Sequence, residues 1–560
     1  MRQPGAVEVS DDVGDGSVEE YGDTAVFGCS KLLLHGVEGQ CCKALQIMPG
    51  QYAVGQLLLF LYKAARHFFK HGIAGVGQRV DKAGFAAAGA TRYNITVCCY
   101  HGVVKVLKPA DVFGLQQRES FMNITLFLTM AHHLLIAAPA SHSGKTTVTI
   151  GLLRALADRG LTVQPFKCGP DFIDTKFHGV AAHRPSVNLD TFMMDAAHVQ
   201  DLYARYSAVA DVSVIEGVMG LFDGAERMKG SSAEIAELLG VPVVLVVNAK
   251  AMAYSVAPLL YGFKNFRPGV NLAGVIFNQV NTSSHYSFLK DAAADAGVAS
   301  LGYIPVNESI RIPSRHLGLS TNTFHTDDAQ RIADHIAQTV DLDALLAISQ
   351  RATLATSAGH YAVDAAPLTI AVARDEAFNF IYQQNLEALE RRGRLVFFSP
   401  LHDAQLPQAD LVYLPGGYPE LYAETLSANT DMLHAVHAYC SAGGRVLAEC
   451  GGMMYLGKAI ADTEGRPFAM VGFLDLETSM AVAKLTLGYR KVQHQGNTFY
   501  GHEFHYSVPK EIGAMATFGT AVSARNHPVD LKLYRKHNVV ATYMHFYWGG
   551  DASFPDALFS

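Results

Sequence analysis

The 560-residue chain has little of what marks several common protein classes. Its eight cysteines follow no regular spacing, and the adjacent pairs Cys41/Cys42 and Cys98/Cys99 lack a second pair or a histidine at zinc-ligand spacing, which excludes a disulfide framework and a zinc module. The formal net charge is −7, which disfavours a nucleic-acid-binding protein. The apolar run at residues 57–62 is far shorter than the ~20 residues of a membrane span, and the first residues lack the basic, apolar and small-residue series of a signal peptide. We therefore expect a cytoplasmic protein with no nucleic-acid and no membrane partner.

Residues 1–129 differ in character from the rest of the chain. They hold five of the eight cysteines among acidic, glycine-containing and apolar fragments, with no sustained period of 2 or 3.6. We interpret this segment as an N-terminal extension outside the functional fold, most simply upstream sequence before a natural start at Met130 or Met122. A disordered extension is the second interpretation, and a novel folded domain is the third.

The remaining chain has the pattern of two α/β domains. With 49% hydrophobic and 17% charged residues the composition is that of a globular protein with large cores. Strands alternate with amphipathic helices, which predicts doubly wound parallel sheets covered on both faces. A stretch rich in Ala, Ser and Thr interrupts this pattern, so we place a first domain at 130–346, a linker at 347–366 and a second domain at 367–560.

The first domain carries a phosphate-binding motif. An apolar strand at 133–138 precedes a loop that ends in Gly-Lys-Thr, and a helix follows at about 148–159, which is the context of a P-loop. Backbone N–H groups of such a loop and the helix N-terminus attract phosphates. The first glycine of the usual motif is replaced by Pro139. The predicted ATP-binding residues are Ser143, Gly144, Lys145, Thr146 and Thr147, with Lys145 reaching the β- and γ-phosphates and Thr146 ligating Mg²⁺.

Acidic and basic residues follow neighbouring strands of this domain. Glu216 ends the apolar strand 211–215 and is the predicted metal partner of Thr146, with Asp223 facing the same site. Lys167, Asp171 and Asp174 come just after the strand 161–166, on the side where open α/β sheets bind ligands. A charged surface loop is the alternative for these three residues.

One further polar residue ends a strand of the same sheet. Asn278 follows the apolar strand 272–277 and is the predicted adenine contact.

The second domain contains a candidate nucleophile. Cys450 lies between an apolar strand and a helix start and is followed by two glycines, as in a nucleophile elbow, where a strained turn exposes the side chain and the helix N-terminus lowers the thiol pKa. The N–H groups near Gly416, Gly417 and Gly451 are candidates for an oxyanion hole. A buried structural cysteine is the alternative. Two histidines, His505 and His545, compete for the role of its base.

The order of these motifs is specific. PxSxSGKTT, PFKxGPDFID, NLD, IEGVMGLFDG, VFN and the segment 312–319 resemble the synthetase domain of the cobyrinic acid a,c-diamide synthase family, which is akin to dethiobiotin synthetase. The second half resembles class I glutamine amidotransferases, whose catalytic histidine lies late in the chain in a Thr-Tyr-x-His setting, and this favours His545. The glutamate that usually follows two residues later in that class is replaced by Tyr547. The fold expected from the resemblance is a P-loop NTPase-like domain followed by a flavodoxin-like glutamine amidotransferase domain.

The resemblance also implies a reaction. ATP activates a- and c-side-chain carboxylates of cobyrinic or hydrogenobyrinic acid, a corrin polycarboxylate, as acyl phosphates, and ammonia released from glutamine by Cys450 and His545 gives the amides of cobalamin biosynthesis. It assigns ATP, Mg²⁺ and substrate to the P-loop residues and acids above, and the corrin or the nucleotide to Arg315 and His316. A homodimer is compatible with it. Alternatives are cobyric acid synthase, a nickel-sirohydrochlorin diamide synthase, and a P-loop switch ATPase with an inactive glutaminase domain.

Overall fold

The computed structural model describes residues 33–35, 90–100, 103–107, 121–312, 324–352, 367–551 and 553–559. Contacts divide the chain into two compact units, residues 1–131 with 352–359 and residues 132–351 with 360–560. In the first unit the described strands are antiparallel: β4 pairs with β1 and β2, and β2 pairs with β3. Their bounds are β1 Leu33–His35, β2 Ala90–Tyr100, β3 Val103–Leu107 and β4 Phe121–Ala137. Most of the predicted extension lies outside the described residues, so its nature stays a prediction, as does that of linker residues 353–366.

A parallel sheet organises the first half of the second unit. Its strands are the end of β4, β5 (Val163–Cys168), β6 (Val187–Leu189), β7 (Val212–Glu216), β8 (Val243–Asn248), β9 (Leu272–Asn278) and β10 (Ala299–Ile304), in the order β10-β9-β8-β4-β7-β5-β6. Every neighbouring pair is parallel. Because helices cover such a sheet, its strands are nearly continuous apolar runs, as in the five buried residues that open β8. The predicted first strand at 133–138 is the end of the longer β4.

Helices connect these strands and cover the sheet. They are α1 Lys145–Asp158, α2 Asp174–Ala182, α3 Ala196–Ser207, α4 Ser232–Leu239, α5 Val256–Asn265, α6 Ser283–Asp295, α7 Thr326–Ala337 and α8 Leu342–Ser349, with a 3₁₀ turn at Glu308–Ile310. Parallel neighbours require such crossovers, which place all strand C-termini at one edge. A short strand, β11 (Gln350–Ala352), follows α8.

The second half is built on another α/β sheet. Its strands are β12 (Leu368–Ala373), β14 (Gly393–Phe398), β15 (Leu411–Leu414), β17 (Arg445–Glu449), β24 (Ala516–Thr517), β26 (Leu533–Lys536) and β27 (Val539–Thr542), in the order β14-β12-β15-β17-β27-β26-β24. The first five strands are parallel, and β26 and β24 form an antiparallel edge. Its helices are α9 Gln383–Arg392, α10 Ala423–Ala428, α11 Thr430–Ser441, α12 Gly451–Leu456 and α13 Phe554–Phe559, with a 3₁₀ turn at Pro419–Tyr422. The prediction of two α/β domains is confirmed.

Smaller strands surround this second sheet. They are β13 Phe378–Phe380, β16 Gly416–Gly417, β18 Ala459–Ala461, β19 Pro467–Ala469, β20 Leu476–Ser479, β21 Thr486–His494, β22 Asn497–His505, β23 Val508–Glu511, β25 Thr520–Ser523 and β28 Met544–Phe546. A four-stranded sheet in the order β25-β21-β22-β28 brings β28 beside β22. Among the described helices none is long and apolar enough to cross a membrane.

Candidate functional site

The loop between β4 and α1 has the geometry of a phosphate-binding loop. Gly144 has a φ of +93°, and a Cβ there would lie 2.2 Å from the Asn278 amide nitrogen, so only glycine fits. Asn278 Nδ2 donates to the Ser143 carbonyl at 3.0 Å, which ties the loop to the end of β9. Lys145 Nζ donates to the Met219 carbonyl at 2.6 Å, in the turn after β7. Asn278 thus supports the loop, and its contact with adenine stays a prediction.

Four predicted site residues meet at the start of α1 and α2. Thr146 Oγ1 donates to Glu216 Oε1 at 2.7 Å. Lys167 Nζ lies 2.8 Å from Asp174 Oδ2 and 3.0 Å from Glu216 Oε1, with both carboxylates almost fully buried. We call Thr146, Lys167, Asp174 and Glu216 the acidic cluster. Each of these residues is predicted from the sequence to lie at the same edge of the sheet, and the structure brings them into direct contact.

His178 joins this cluster and was missed by the sequence argument. Its Nε2 lies 2.6 Å from Glu216 Oε2, and its other ring nitrogen lies 3.2 Å from the Ser186 hydroxyl. The signal available in the sequence was spacing, because His178 follows Asp174 by four residues on α2 and therefore shares its helical face.

Charge pairing dominates the electrostatics of the acidic cluster. Burial alone lowers the pKa of Lys167, but Asp174 and Glu216 outweigh it and hold that pKa above its usual value. Burial raises the pKa of Glu216, but Lys167 outweighs it and the pKa of Glu216 lies below its usual value. The cluster is therefore one buried cation with two carboxylates.

The oxygen atoms of this cluster suit a magnesium ion. Mg²⁺ binds through one or two carboxylates together with waters and substrate phosphates, and a hydroxyl and two carboxylates are present beside the P-loop. Within the residues that the structure describes, no three His, Cys, Asp or Glu side chains form a metal cage by themselves.

Two other predicted acids shape the loops around the cluster. Asp171 Oδ1 accepts the N–H groups of Ile173 and Asp174, each at 2.8 Å, at the start of α2. Asp223 Oδ2 accepts the N–H of Gly220 at 2.9 Å in the turn that faces the P-loop. Their predicted contacts with substrate stay predictions.

Three further residues of the first domain were predicted from the sequence to lie at the site. Thr147 lies in the first turn of α1, after Thr146. Arg315 and His316 lie outside the described residues.

Cys450 occupies a strained turn between β17 and α12. Its φ is +45° and its ψ is −104°, a conformation that few non-glycine residues adopt and that is found mostly at functional sites. Its N–H donates to the Thr542 carbonyl at 2.7 Å. Burial raises the pKa of the thiol well above its usual value, the Glu420 carboxylate raises it further, and the Gly451 N–H lowers it. The helix N-terminus thus acts in the predicted direction, but burial outweighs it.

His545 and the predicted oxyanion glycines lie close together. A Cβ on Gly416 would come within 2.1 Å of His545 Cε1, and a Cβ on Gly451 would come within 3.1 Å of the Gly417 nitrogen. Side chains at either glycine would therefore obstruct the imidazole or the turn. His545 is fully buried, and burial lowers its pKa to about 3, so the ring is neutral.

The geometry separates the two candidate bases. His505 stacks on Tyr543 at 3.7 Å, and its ring nitrogens lie 2.9 Å from the Ser507 carbonyl and 3.5 Å from Glu503 Oε1. Neither ring nitrogen of His545 has a hydrogen-bond partner among the described residues. His545 therefore has a nitrogen available for proton transfer.

Tyr547 does not take the orienting role of the missing glutamate. Its hydroxyl is 2.7 Å from His198 Nε2 of the first half. Three rings pack against His545 instead: His502 at a centroid distance of 5.0 Å and an angle of 18°, Phe172 of the first half at 5.3 Å, and Phe380 at 6.2 Å. The contact between Phe172 and His545 has no direct signal in the sequence.

The two halves meet between the NLD segment and strand β21. The hydroxyl of Tyr489 on β21 donates to Asp190 of the NLD segment at 2.6 Å. Its neighbour Arg490 pairs with Glu503 on the adjacent strand β22 of the same half. Tyr489 therefore contributes to the contact between the halves within the second compact unit.

A carboxylate beside the nucleophile was also missed. Glu420 Oε2 and the Tyr418 hydroxyl are buried without a hydrogen-bond partner in the described part of the chain. Burial raises the pKa of Glu420 to about 7. Pro419, its neighbour, lies 2.8 Å from the position of a Cβ on Gly451. An incoming cation is the chemical partner that such a carboxylate lacks.

Comparisons with known proteins agree with this geometry. Residues 134–319 match the CobQ/CobB/MinD/ParA nucleotide binding domain, and residues 369–553 match the CobB/CobQ-like glutamine amidotransferase domain. The chain is 40% identical over 434 residues to the cobyrinate a,c-diamide synthase of Syntrophotalea carbinolica, covering 74% of this chain and 94% of that protein. It is 42% identical over 405 residues to the protein of that name from Salmonella typhimurium, covering 69% and 88%. It is 40% identical over 428 residues to the hydrogenobyrinate a,c-diamide synthase of Rhizobium meliloti, covering 74% and 98%. The chain belongs to the cobyrinate a,c-diamide synthase family.

Proposed function

We propose that the chain uses ATP and glutamine to amidate the a- and c-side-chain carboxylates of cobyrinic or hydrogenobyrinic acid. The observation that carries the proposal is the presence of two complementary sites in one compact unit. One is a P-loop beside the acidic cluster, and the other is the strained Cys450 turn beside His545. The first suits carboxylate activation, and the second suits the release of ammonia from an amide.

In the first site the chain's residues bind phosphate and carboxylate groups. The loop N–H groups and Lys145 bind the phosphates of ATP, and Asn278 holds the loop closed on them. Thr146, Asp174 and Glu216 would hold Mg²⁺, which when bound neutralises charge on the transferred phosphoryl group. Lys167 supplies the cation that faces the incoming carboxylate.

Each amide forms in two steps through an acyl phosphate. A carboxylate oxygen of the corrin attacks the γ-phosphorus, the bond to the ADP oxygen breaks, and an acyl phosphate forms. Ammonia then attacks the acyl carbon, inorganic phosphate leaves and the amide nitrogen loses a proton. Each amide therefore consumes one ATP and one ammonia, and two rounds give the diamide.

In the second site we assign the Cys450 thiol as the nucleophile and the neutral His545 imidazole as its base. Cys450 transfers its proton to His545 and attacks the side-chain amide carbon of glutamine. The N–H groups of Gly417 and Gly451 face the oxyanion. His545 then protonates the departing ammonia, and water hydrolyses the thioester to glutamate.

Glu420 gives this site a means to recognise glutamine. Its unpartnered carboxylate oxygen is buried near the nucleophile, and the α-ammonium group of glutamine supplies the missing cation. Neutralising Glu420 also removes a negative charge that raises the pKa of Cys450. Substrate binding therefore favours the thiolate.

The proposal is tested by product analysis. The full chain is incubated with Mg²⁺-ATP, glutamine and either cobyrinic or hydrogenobyrinic acid, and products are identified by mass spectrometry. We expect one ADP for each amide and accumulation of a diamide. Consumption of the a,c-diamide alone would instead identify a cobyric acid synthase, and consumption of nickel-sirohydrochlorin alone a nickel-sirohydrochlorin diamide synthase.

Two further expectations belong to this proposal. A cytoplasmic location follows from the substrates, and cell fractionation tests it. A homodimer is the expected assembly, which sedimentation analysis of the full chain would show or refute.

A further inference from the structure

The orientation of His545 has an unusual physical basis. Its ring nitrogens have no hydrogen-bond partner among the described residues, and Tyr547 points to His198 instead. Ring packing and the close approach of Gly416 therefore hold the imidazole. Because both ring nitrogens are buried, an imidazole that rotated would gain no solvent contact, so the packed rings decide where the nitrogens point.

One of these packed rings belongs to the other half of the compact unit. Phe172 is buried, and its ring centroid lies 5.3 Å from that of His545 and 5.5 Å from that of His502. It also packs on Tyr382 at 4.6 Å and stacks on Phe380 at 5.2 Å with an interplanar angle of 8°. Four aromatic rings of the second half thus enclose a side chain of the first.

Phe172 lies in the segment 171–174, and both ends of this segment lie at the ATP site. Asp171 accepts the N–H of Asp174 at 2.8 Å, and the Asp174 carboxylate contacts Lys167 at 2.8 Å in the acidic cluster. Phe172 is two residues from Asp174, within about 7 Å along the chain. Because this connection is short and hydrogen-bonded, a shift of Asp174 also moves Phe172.

We propose that Phe172 is a positioning residue for the glutaminase reaction, which holds the His545 imidazole toward Cys450 and ties its orientation to the ATP site. This inference rests on the proposed function and deepens it. The synthetase half thereby supplies a contact that orients His545, a role that Tyr547 does not take. Ammonia release is coupled to occupancy of the acidic cluster through the backbone of residues 171–174.

The test compares Phe172→Leu and Phe172→Ala with the full wild-type chain. We expect kcat for glutamine hydrolysis to fall by about 10–100-fold, because an ångström of misplacement costs on this order, with KM for glutamine unchanged. Amidation supported by ammonium should stay within about threefold of wild type. Phe172→Tyr, which keeps the ring, should restore most of the glutamine-dependent rate. Stimulation of glutamine hydrolysis by ATP and corrin should be lost in Phe172→Ala.

Phe177→Leu and Phe177→Ala are the matched controls. Phe177 is buried in the adjoining helix α2, and its described ring contact is Phe324 at 4.9 Å within the first half. These variants should retain wild-type coupling between ATP and glutamine hydrolysis. Thermal unfolding of all variants separates misfolding from misplacement.

Several results would overturn the inference. Equal loss of glutamine- and ammonium-dependent amidation in folded Phe172→Leu would make Phe172 a structural part of the ATP site only. Wild-type glutamine hydrolysis in Phe172→Ala would exclude the positioning role. Absence of glutamine hydrolysis in the wild-type chain would instead contradict the proposed function itself.

Discussion

Replacing Lys167 by methionine should destabilise the chain by about 3–5 kcal/mol, because it leaves two buried carboxylates without their cation. Lys167 Nζ lies 2.8 Å from Asp174 and 3.0 Å from Glu216. At an effective dielectric constant of about 20, each pair contributes about 5–6 kcal/mol of attraction. Removing the buried ammonium group also removes several kcal/mol of desolvation cost, and one carboxylate can take up a proton, which leaves the smaller net loss.

The pH dependence of this loss has a defined sign. Without Lys167, mutual repulsion and burial raise the pKa of one carboxylate above its unfolded value. Such a group contributes full stability below the unfolded pKa, and the contribution is lost as pH rises. The deficit of Lys167→Met relative to wild type should therefore be larger at pH 8 than at pH 5. Differential scanning calorimetry of the full chain in the presence of a metal chelator measures it.

Lys176→Met is the matched control. Lys176 is a lysine in the same region that hydrogen-bonds the Asn379 side chain and lies 4.9 Å from the centroid of the Phe380 ring, and it has no carboxylate partner among the described residues. Burial lowers its pKa to about 7, so its charged form is disfavoured in the folded chain. We expect this variant to lose less than about 1.5 kcal/mol. Equal stability of Lys167→Met and wild type at pH 8 would refute the buried ion pairs.

Further predictions concern the glutaminase half. Glu420→Gln should raise KM for glutamine by about 10–100-fold, since a charge-assisted contact to the α-ammonium is lost, and should leave ammonium-dependent amidation intact; the exposed Glu424→Gln is the control. An unchanged KM in steady-state assays would exclude the contact. Glu449 accepts hydrogen bonds from the Tyr413 hydroxyl at 2.8 Å and the Phe546 N–H at 3.1 Å, and burial raises its pKa from 4.5 to about 8. The folded chain keeps this proton while the unfolded chain loses it, so stability is lost between pH 4.5 and 8 by about 1.4 kcal/mol per pH unit. Glu449→Gln should remove that slope in calorimetric unfolding, and an unchanged slope would contradict a protonated Glu449.

Local patterns predicted the residues that follow strands. Glu216 ends β7 as expected, and Lys167 and Asp174 reach the same edge because parallel strands place their C-termini together. The Cys450 turn was also predictable, since the strand, the cysteine and the two glycines are contiguous. His178 could have been found from its spacing to Asp174.

Contacts between the halves could not be predicted from the sequence. Phe172 and His545 are separated by 373 positions, and no local period relates them. The same holds for Tyr547, whose partner His198 depends on how α3 packs against the second half. The raised pKa of the Cys450 thiol likewise depends on its burial and on the charge of Glu420, and only the folded chain produces both.

The nitrogen source of the reaction is the most direct test of whether Cys450 releases the ammonia that is used at the ATP site. The full chain and its Cys450→Ala variant are supplied with Mg²⁺-ATP, cobyrinic acid and either amide-labelled glutamine or ammonium, and incorporation of label into the corrin is followed by mass spectrometry. We expect the wild type to use both nitrogen sources and Cys450→Ala to use ammonium alone at a comparable rate. Glutamine-dependent amidation by Cys450→Ala, or no amidation with either source by the wild type, would contradict this expectation.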